Sequence, residues 1–216
     1  MGLPEGAACV VTITEIISVR SGFCIVLDSG DRFWLHKEDL IPSFFIIGKS
    51  YEPDCFLRQI RILQYPRALN LAVSMLARRP CSKAEIRTRL IIRRYTDETA
   101  DLVILKLEKE NLLDDKAFCE QWIRFRTGRG YGPSVIRREL RYKGIPDDLI
   151  ISALDCLAPD DIDENALHLA RKAWLRIRPG EDLWKARQKV AASLVRKGYS
   201  WDEARRACEK AAEERR

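Results

Sequence analysis

The rhythm of apolar and polar positions changes once along the chain. Up to about residue 62 it is short and strand-like. Val10-Val11-Thr12-Ile13-Thr14-Glu15-Ile16 is rich in β-branched residues and alternates in part, as a half-buried strand does. Ser21-Gly22 marks a turn, and Phe23-Cys24-Ile25-Val26-Leu27 reads as a second strand. Asp28-Ser29-Gly30-Asp31 is a tight turn before a third strand, Arg32-Phe33-Trp34-Leu35-His36. Turn residues between apolar runs favour hairpins or a meander. Phe44-Phe45-Ile46-Ile47, ahead of Gly48, reads as a fourth strand or the end of a short helix.

Beyond residue 62 the period lengthens to that of an amphipathic helix. Leu69, Ala72, Val73 and Leu76 mark one helical face. Ser82-Lys83-Ala84-Glu85 is a capping box opening the next helix, in which a hydroxyl and a carboxylate satisfy free N–H groups reciprocally. Ile86 and Leu90 are its apolar positions. Thr96 caps a third helix with Ala100, Val103, Ile104 and Leu107 on its face. Phe118, Trp122 and Phe125 face one way on a fourth, and the loop Gly128-Arg129-Gly130-Tyr131-Gly132 follows. Pro133 suits the first turn of a fifth helix, which carries Ile136 and Leu140 and stops at Gly144. Pro146 starts a sixth, with Ile150, Ala153, Leu154 and Leu157 inward. A seventh begins at Asp163, buries Ala166, Ala170, Ala173, Trp174 and Ile177, and ends at Pro179-Gly180. The eighth presents Ala186, Val190 and Leu194. A second capping box, Ser200-Trp201-Asp202-Glu203, opens the ninth, with Ala204, Ala207, Cys208 and Ala211 inward.

The helices come in threes. Leu90, Leu140 and Leu194 each precede basic residues, a sharp stop, an apolar residue and a new capped helix, and they stand 50 and 54 positions apart. Such periodicity argues for a tandem array, elongated and curved, suited to an extended partner rather than a small molecule. The expected fold is mainly α, with tandem three-helix repeats behind a small β-rich segment. The expected boundaries are 1–62 for that segment, then 63–112, 113–159 and 160–216 for the three repeats.

Charge follows the same division. Residues 1–62 hold six Lys/Arg against eight Asp/Glu, and residues 63–216 hold 32 against 24, a net of +8. A basic helical surface favours phosphates or an acidic protein groove. The alternative is an ordinary solvated helix face. Apolar runs are too short to span a bilayer. The start Met1-Gly2-Leu3-Pro4-Glu5 lacks the pattern of a secretory signal, so a cytoplasmic location is expected. The seven cysteines are odd in number, and the nearest two, Cys9 and Cys24, are 15 positions apart. Neither a disulfide framework nor a zinc site uses that spacing. They read as small buried hydrophobes.

Signatures of catalysis are missing from this reading. His36 and His168 have no ligand-spaced neighbours, and no metal or cofactor is expected. The glycine-rich loop follows a helix rather than a strand, so the phosphate-cradle context fails and a flexible hinge is the simpler reading. The pairs Asp114-Asp115, Asp147-Asp148 and Asp160-Asp161 suggest a metal nuclease at first sight. All three sit at helix starts, where carboxylates cap N–H groups. Around the loop crowd Arg124, Arg126, Arg129, Arg137, Arg138, Arg141 and Lys143, with Tyr131 and Tyr142 among them. Arginines interleaved with aromatics form a face for phosphate or single-stranded nucleic acid. The competing reading pairs them with Glu139 and nearby acids. On a helical wheel Arg138 and Arg141 lie away from the Ile136/Leu140 stripe, while Arg137 and Lys143 flank it. Arg124 and Arg129 are expected to reach the same face as Arg138 and Arg141.

Leu112-Leu113-Asp114-Asp115-Lys116-Ala117-Phe118, followed by Trp122-Ile123-Arg124-Phe125-Arg126, resembles the central repeat of the RecX family. So do Gly132-Pro133, Ile136-Arg137-Arg138-Glu139-Leu140 and Lys143-Gly144-Ile145. Ala68-Leu69 through Leu76-Ala77-Arg78-Arg79, with Ser82 and Glu85-Ile86, looks like the family's first repeat. The likeness spans about residues 66–157 strongly and 163–212 weakly. It implies a non-enzymatic, all-helical protein of three-helix repeats that lies in the groove of the RecA filament on single-stranded DNA. It implies inhibition of filament growth, ATP hydrolysis, strand exchange and co-protease activity. Some members carry a β-rich extension, which residues 9–50 resemble. RecA is therefore the implied partner, with single-stranded DNA a second candidate and a monomer the expected state. The alternative is a helical-repeat protein that binds DNA without RecA. Two departures stand out: Cys119 occupies a common alanine position, and Arg94-Tyr95 replaces the basic-Gly stop of the first repeat.

Overall fold

Nine residues, most of them β-branched, form strand β1 (Val11–Val19). A turn at Arg20 and Ser21 leads into β2 (Gly22–Leu27), and the Asp28–Asp31 turn into β3 (Arg32–His36). All pairings are antiparallel. With β4 (Ser50–Tyr51) on the far side of β1, the sheet order is β3-β2-β1-β4. Gly22 is required where β2 meets β3, because a Cβ there would lie 1.9 Å from the Leu35 carbonyl oxygen. The Phe44-Phe45-Ile46-Ile47 run is neither a strand nor a helix end. The Phe44 and Phe45 amides both turn back to the Ile41 carbonyl at 3.0 Å. Phe45 packs inward, Phe44 sits 4.9 Å from the Tyr51 ring, and Ile46 and Ile47 are exposed. Past this run, the Gly48 amide donates to the Ile13 carbonyl at 2.8 Å and β4 pairs with the start of β1.

Helix α1 (Pro53–Leu76) starts at Pro53, in the proline-favoured first turn, and runs straight through the change expected near residue 62. Its two halves serve different cores. Phe56 and Ile60 pack with Ile13, Ile25, Leu27 and Leu35 of the sheet, whereas Ala68 and Ala72 pack with Ile86, Leu90, Ala100, Val103 and Leu107. Val73, expected on the inward face, is exposed, and Ala68 lies inward instead. Gln64 marks the junction. Its amide nitrogen donates to the Trp34 carbonyl at 2.8 Å, and its oxygen accepts from the Thr96 amide at 2.9 Å and the Thr99 hydroxyl at 3.1 Å. A buried amide is tolerated because its hydrogen bonds are made.

The computed structural model describes residues 10–156, 159–178 and 180–214. Met1-Gly2-Leu3-Pro4-Glu5, Cys9, Leu157 and Pro179, and the side chains of Asp160 and Asp161, lie outside them. Two compact units are present, Met1–Leu113 and Asp114–Arg216. The first holds the sheet, α1, α2 (Lys83–Ile92) and α3 (Asp97–Lys109). The second holds α4 (Asp115–Thr127), α5 (Pro133–Tyr142), α6 (Asp147–Asp155), α7 (Pro159–Trp174), α8 (Leu183–Arg196) and α9 (Trp201–Glu213). Helix α7 begins at Pro159, ahead of the Asp163 expected. Both capping boxes form, at Ser82 with Glu85 and at Ser200 with Glu203. Thr96 and Asp114 cap α3 and α4. Asp147 does not cap α6, whose N-cap is Pro146. The chain is thus mainly helical, three-helix repeats behind a four-stranded antiparallel sheet.

One turn recurs in all three repeats. The amides of Tyr95, Ile145 and Tyr199 return to the carbonyls of Leu90, Leu140 and Leu194 at 3.1–3.3 Å. The residue before each amide is left-handed: Arg94 at φ 69°, Gly144 at 73° and Gly198 at 98°. This is the Schellman stop, which normally takes glycine. Arg94 therefore does not alter the first turn. It adopts the glycine conformation at a cost of about 1 kcal/mol.

Candidate partner-binding face of the second repeat

Ile136 and Leu140 are fully buried and fix the inward side of α5. Arg137, Arg138 and Arg141 consequently stand exposed on the other sides. Tyr142, four positions after Arg138 and so on the same side of the helix, is 94% exposed. Among the described residues Arg137 and Arg138 have no ion-pair partner. Arg141 does: its guanidinium grips Asp147 at the start of α6, with Nε at 2.6 Å and a terminal nitrogen at 3.2 Å. That bond, more than the charge alone, holds the Asp147 carboxyl below its ordinary pKa.

Helix α4 sends its basic residues in other directions. Arg126 turns toward α5. Its guanidinium pairs with Glu139, lies 3.6 Å from the Tyr131 ring centroid, and is largely covered. The Trp122 indole donates to the other Glu139 oxygen at 3.1 Å. The Lys143 ammonium sits 4.3 Å from the Trp122 ring, and Lys197 of the third repeat caps Tyr131 at 4.1 Å. Lys143, Trp122, Arg126, Tyr131 and Lys197 form one ladder of alternating cations and rings, with Glu139 at its middle. Cation–ring contacts of this kind are stabilising when partly desolvated.

Of the seven basic residues singled out, the structure thus brings Arg126 and Lys143 together as packing elements. It leaves Arg137, Arg138 and the Asp147-paired Arg141 outward. Arg129 rests over Phe125, 4.2 Å from its centroid. Arg124 does not join the face of Arg138 and Arg141. It lines a groove between α4 and α6 with Lys116, Glu120, Leu149 and Cys156. Phe125, expected in the core with Phe118 and Trp122, is 46% exposed beneath Arg129. Sequence reasoning missed Trp122 as the anchor of this group. The signal was present in the i, i+4 spacing of Trp122 and Arg126, which puts both on one side of α4.

The glycine-rich loop is not a hinge. The Gly132 amide donates to the Lys197 carbonyl at 2.8 Å, and the Ser134 amide to the Gly198 carbonyl at 3.1 Å. These bonds tie the loop to the α8–α9 turn, backbone against backbone. Among the described residues no group of His, Cys, Asp and Glu is disposed to hold a metal ion, and no helix is long and apolar enough to cross a membrane.

The second and third repeats, so joined, and the first repeat each match a family model. Residues 68–107 match "RecX, first three-helix domain", residues 114–154 the second and residues 160–208 the third. Regulatory protein RecX of Stenotrophomonas maltophilia strain R551-3 is 36% identical over 136 residues, which is 63% of this chain and 82% of that protein. Regulatory protein RecX of Mycolicibacterium smegmatis is 34% identical over 139 residues, covering 62% and 73%. A crystal structure of regulatory protein RecX superposes with a TM-score of 0.61 at 25% identity, covering 89% of this chain and 96% of the other. A RecX structure from Lactobacillus salivarius gives 0.64 over 68% and 96%, at 24% identity. With all three domains matched in order, the chain belongs to the RecX family of regulatory proteins.

Proposed function

We propose that this protein is a non-enzymatic negative regulator of the RecA recombinase, binding in the groove of the RecA–single-stranded DNA filament. On this reading it restrains filament growth, ATP hydrolysis, strand exchange and co-protease activity. The reading is carried by the ordered match of all three RecX domains. The outward side of α5 supplies it with a contact surface. Arg137, Arg138 and Tyr142 are exposed there, and Arg141 is held in register by Asp147. Arginine and tyrosine are the residue types that dominate interface energetics.

The test is RecA-driven ATP hydrolysis and strand exchange, titrated with the purified protein and RecA from the same host, alongside electron microscopy of the filaments. Inhibition is expected at or below stoichiometry. Unchanged rates over a wide concentration range overturn the proposal. Exposed arginines beside Tyr142 also suit direct binding to DNA. Affinity for RecA-free DNA equal to that for the filament at physiological salt would favour that second reading, with the steep salt dependence of counterion release.

A further inference from the structure

The first unit carries a cleft that the RecA reading leaves unused. It lies between β3, the middle of α1 and the turn after α2, with a volume of about 320 Å³. Trp34, His36, Arg67, Arg93, Arg94 and Tyr95 are in its wall. The size is that of a small-ligand site.

The placement of Arg94 is the first observation. Its two sister turns use glycine, and Arg94 holds the same left-handed conformation against its steric preference. The result is a guanidinium laid over the Trp34 ring, 4.7 Å from the centroid. Arg94 is exposed, so this cation–indole plate is open to solvent. Trp34 is held in turn by Gln64, which bonds its carbonyl at 2.8 Å. The second observation is the charge balance. Arg67 is neutralised by Asp39 at 2.7 Å and Glu38 at 2.6 Å. Among the described residues Arg93 and Arg94 have no such partner. The cleft thus offers a flat cationic plate and, beside it, an unneutralised guanidinium.

A ligand that is planar at one end and anionic at the other fits both features. Guanidinium planes and aromatic rings are the surfaces on which unstacked bases settle. An acidic peptide would engage the two guanidiniums but leave the plate idle. We infer that this cleft binds one nucleotide of a single-stranded nucleic acid, its base stacked on the Arg94–Trp34 plate and its phosphate at Arg93. This makes the sheet and first repeat a nucleic-acid contact separate from the α5 face. It does not depend on RecA, and the test contains none.

The experiment uses the full chain, ¹⁵N-labelled, titrated with hexathymidylate. The readout is the indole N–H signal of Trp34, one of five tryptophans, identified by its loss in Trp34→Phe. A saturable shift of that signal is expected. Arg94→Gly should weaken the Trp34 midpoint about tenfold, in line with the loss of one stacked base. The same variant should melt no lower than the native protein, because glycine suits the left-handed position. Arg93→Glu should abolish the shift and provides a second variant. Three outcomes overturn the inference: a Trp34 signal that saturating hexathymidylate leaves in place, equal midpoints in native protein and Arg94→Gly, or an equal response to inorganic phosphate or polyglutamate. The last would make the cleft an anion or acidic-peptide site.

Discussion

Two glycines of one five-residue loop should respond to alanine in opposite directions. A Cβ on Gly132 would lie 2.5 Å from both the carbonyl carbon and the oxygen of Gly198, and 2.6 Å from the Tyr199 nitrogen. All three are backbone atoms and cannot rotate away. Gly132→Ala must therefore push the loop off the α8–α9 turn. That breaks the Gly132–Lys197 and Ser134–Gly198 hydrogen bonds, each contributing about 1 kcal/mol net. It also opens a close-packed contact. The expected loss is about 2–4 kcal/mol. Gly128 stands four residues earlier, at φ −61° and ψ −18°, an ordinary helical conformation. A Cβ there would meet only the Arg124 and Phe125 oxygens, at 3.4 and 3.9 Å, which is normal contact. Gly128→Ala should be neutral or stabilising by up to about 1 kcal/mol, through lower entropy of the unfolded chain. Urea denaturation followed by tryptophan fluorescence reads both effects, with Trp122 in the second repeat and Trp174, Trp184 and Trp201 in the third. If Gly132→Ala unfolds at the native midpoint, or Gly128→Ala costs as much as Gly132→Ala, the loop is not pinned in solution and the backbone contact between these repeats is wrong.

Four further outcomes are expected. Tyr199 is buried with no hydrogen-bond partner for its hydroxyl among the described residues, and burial pushes its pKa up to about 12 from 10. A raised folded pKa adds stability below pH 10 that is lost as pH rises through about 12. Tyr199→Phe should therefore be at least as stable at pH 7 and show a shallower decline across pH 10–12 in thermal melts. Gln64→Ala should cost about 1–3 kcal/mol, because it removes the partner of the Trp34 carbonyl and the Thr96 amide, while the Thr99 hydroxyl keeps its bond to the Thr96 hydroxyl; a melting temperature within a degree of native would refute the bridging role. Leu140→Ala should cost about 2–5 kcal/mol and lower melting and RecA inhibition together; native-like melting with lost inhibition would instead make this face a contact surface. Arg138→Glu with Arg141→Glu should stay folded, since the Arg141–Asp147 pair is exposed and worth little, yet lose RecA inhibition in an ATPase titration, and full inhibition would move the contact surface elsewhere.

What could be read from the chain followed the range of the forces involved. Capping boxes at Ser82 and Ser200 and the glycine-closed turns after Leu140 and Leu194 are local, so a few adjacent residues specify them. The start of α1 is not local. Its apolar stripe changes partner midway, from Phe56 and Ile60 on the sheet to Ala68 and Ala72 on the helices, while Ile62 and Val73 lie exposed. No single helical face then carries the hydrophobic signal, and periodicity alone places the boundary too late. The basic cluster failed to stay together for a related reason. A count of arginines near one loop is blind to Trp122 and Glu139, which pull Arg126 and Lys143 into packing, and to Asp147, which takes Arg141. Arg94 was the most deceptive position. Its lack of glycine suggested an altered turn, yet the backbone is the same as in its sisters, and the difference lies in what the side chain then reaches. A residue that keeps an unfavourable conformation in a turn repeated along the chain points to its side chain as the reason. At Arg94 that side chain lies on Trp34, where the sheet meets the first repeat.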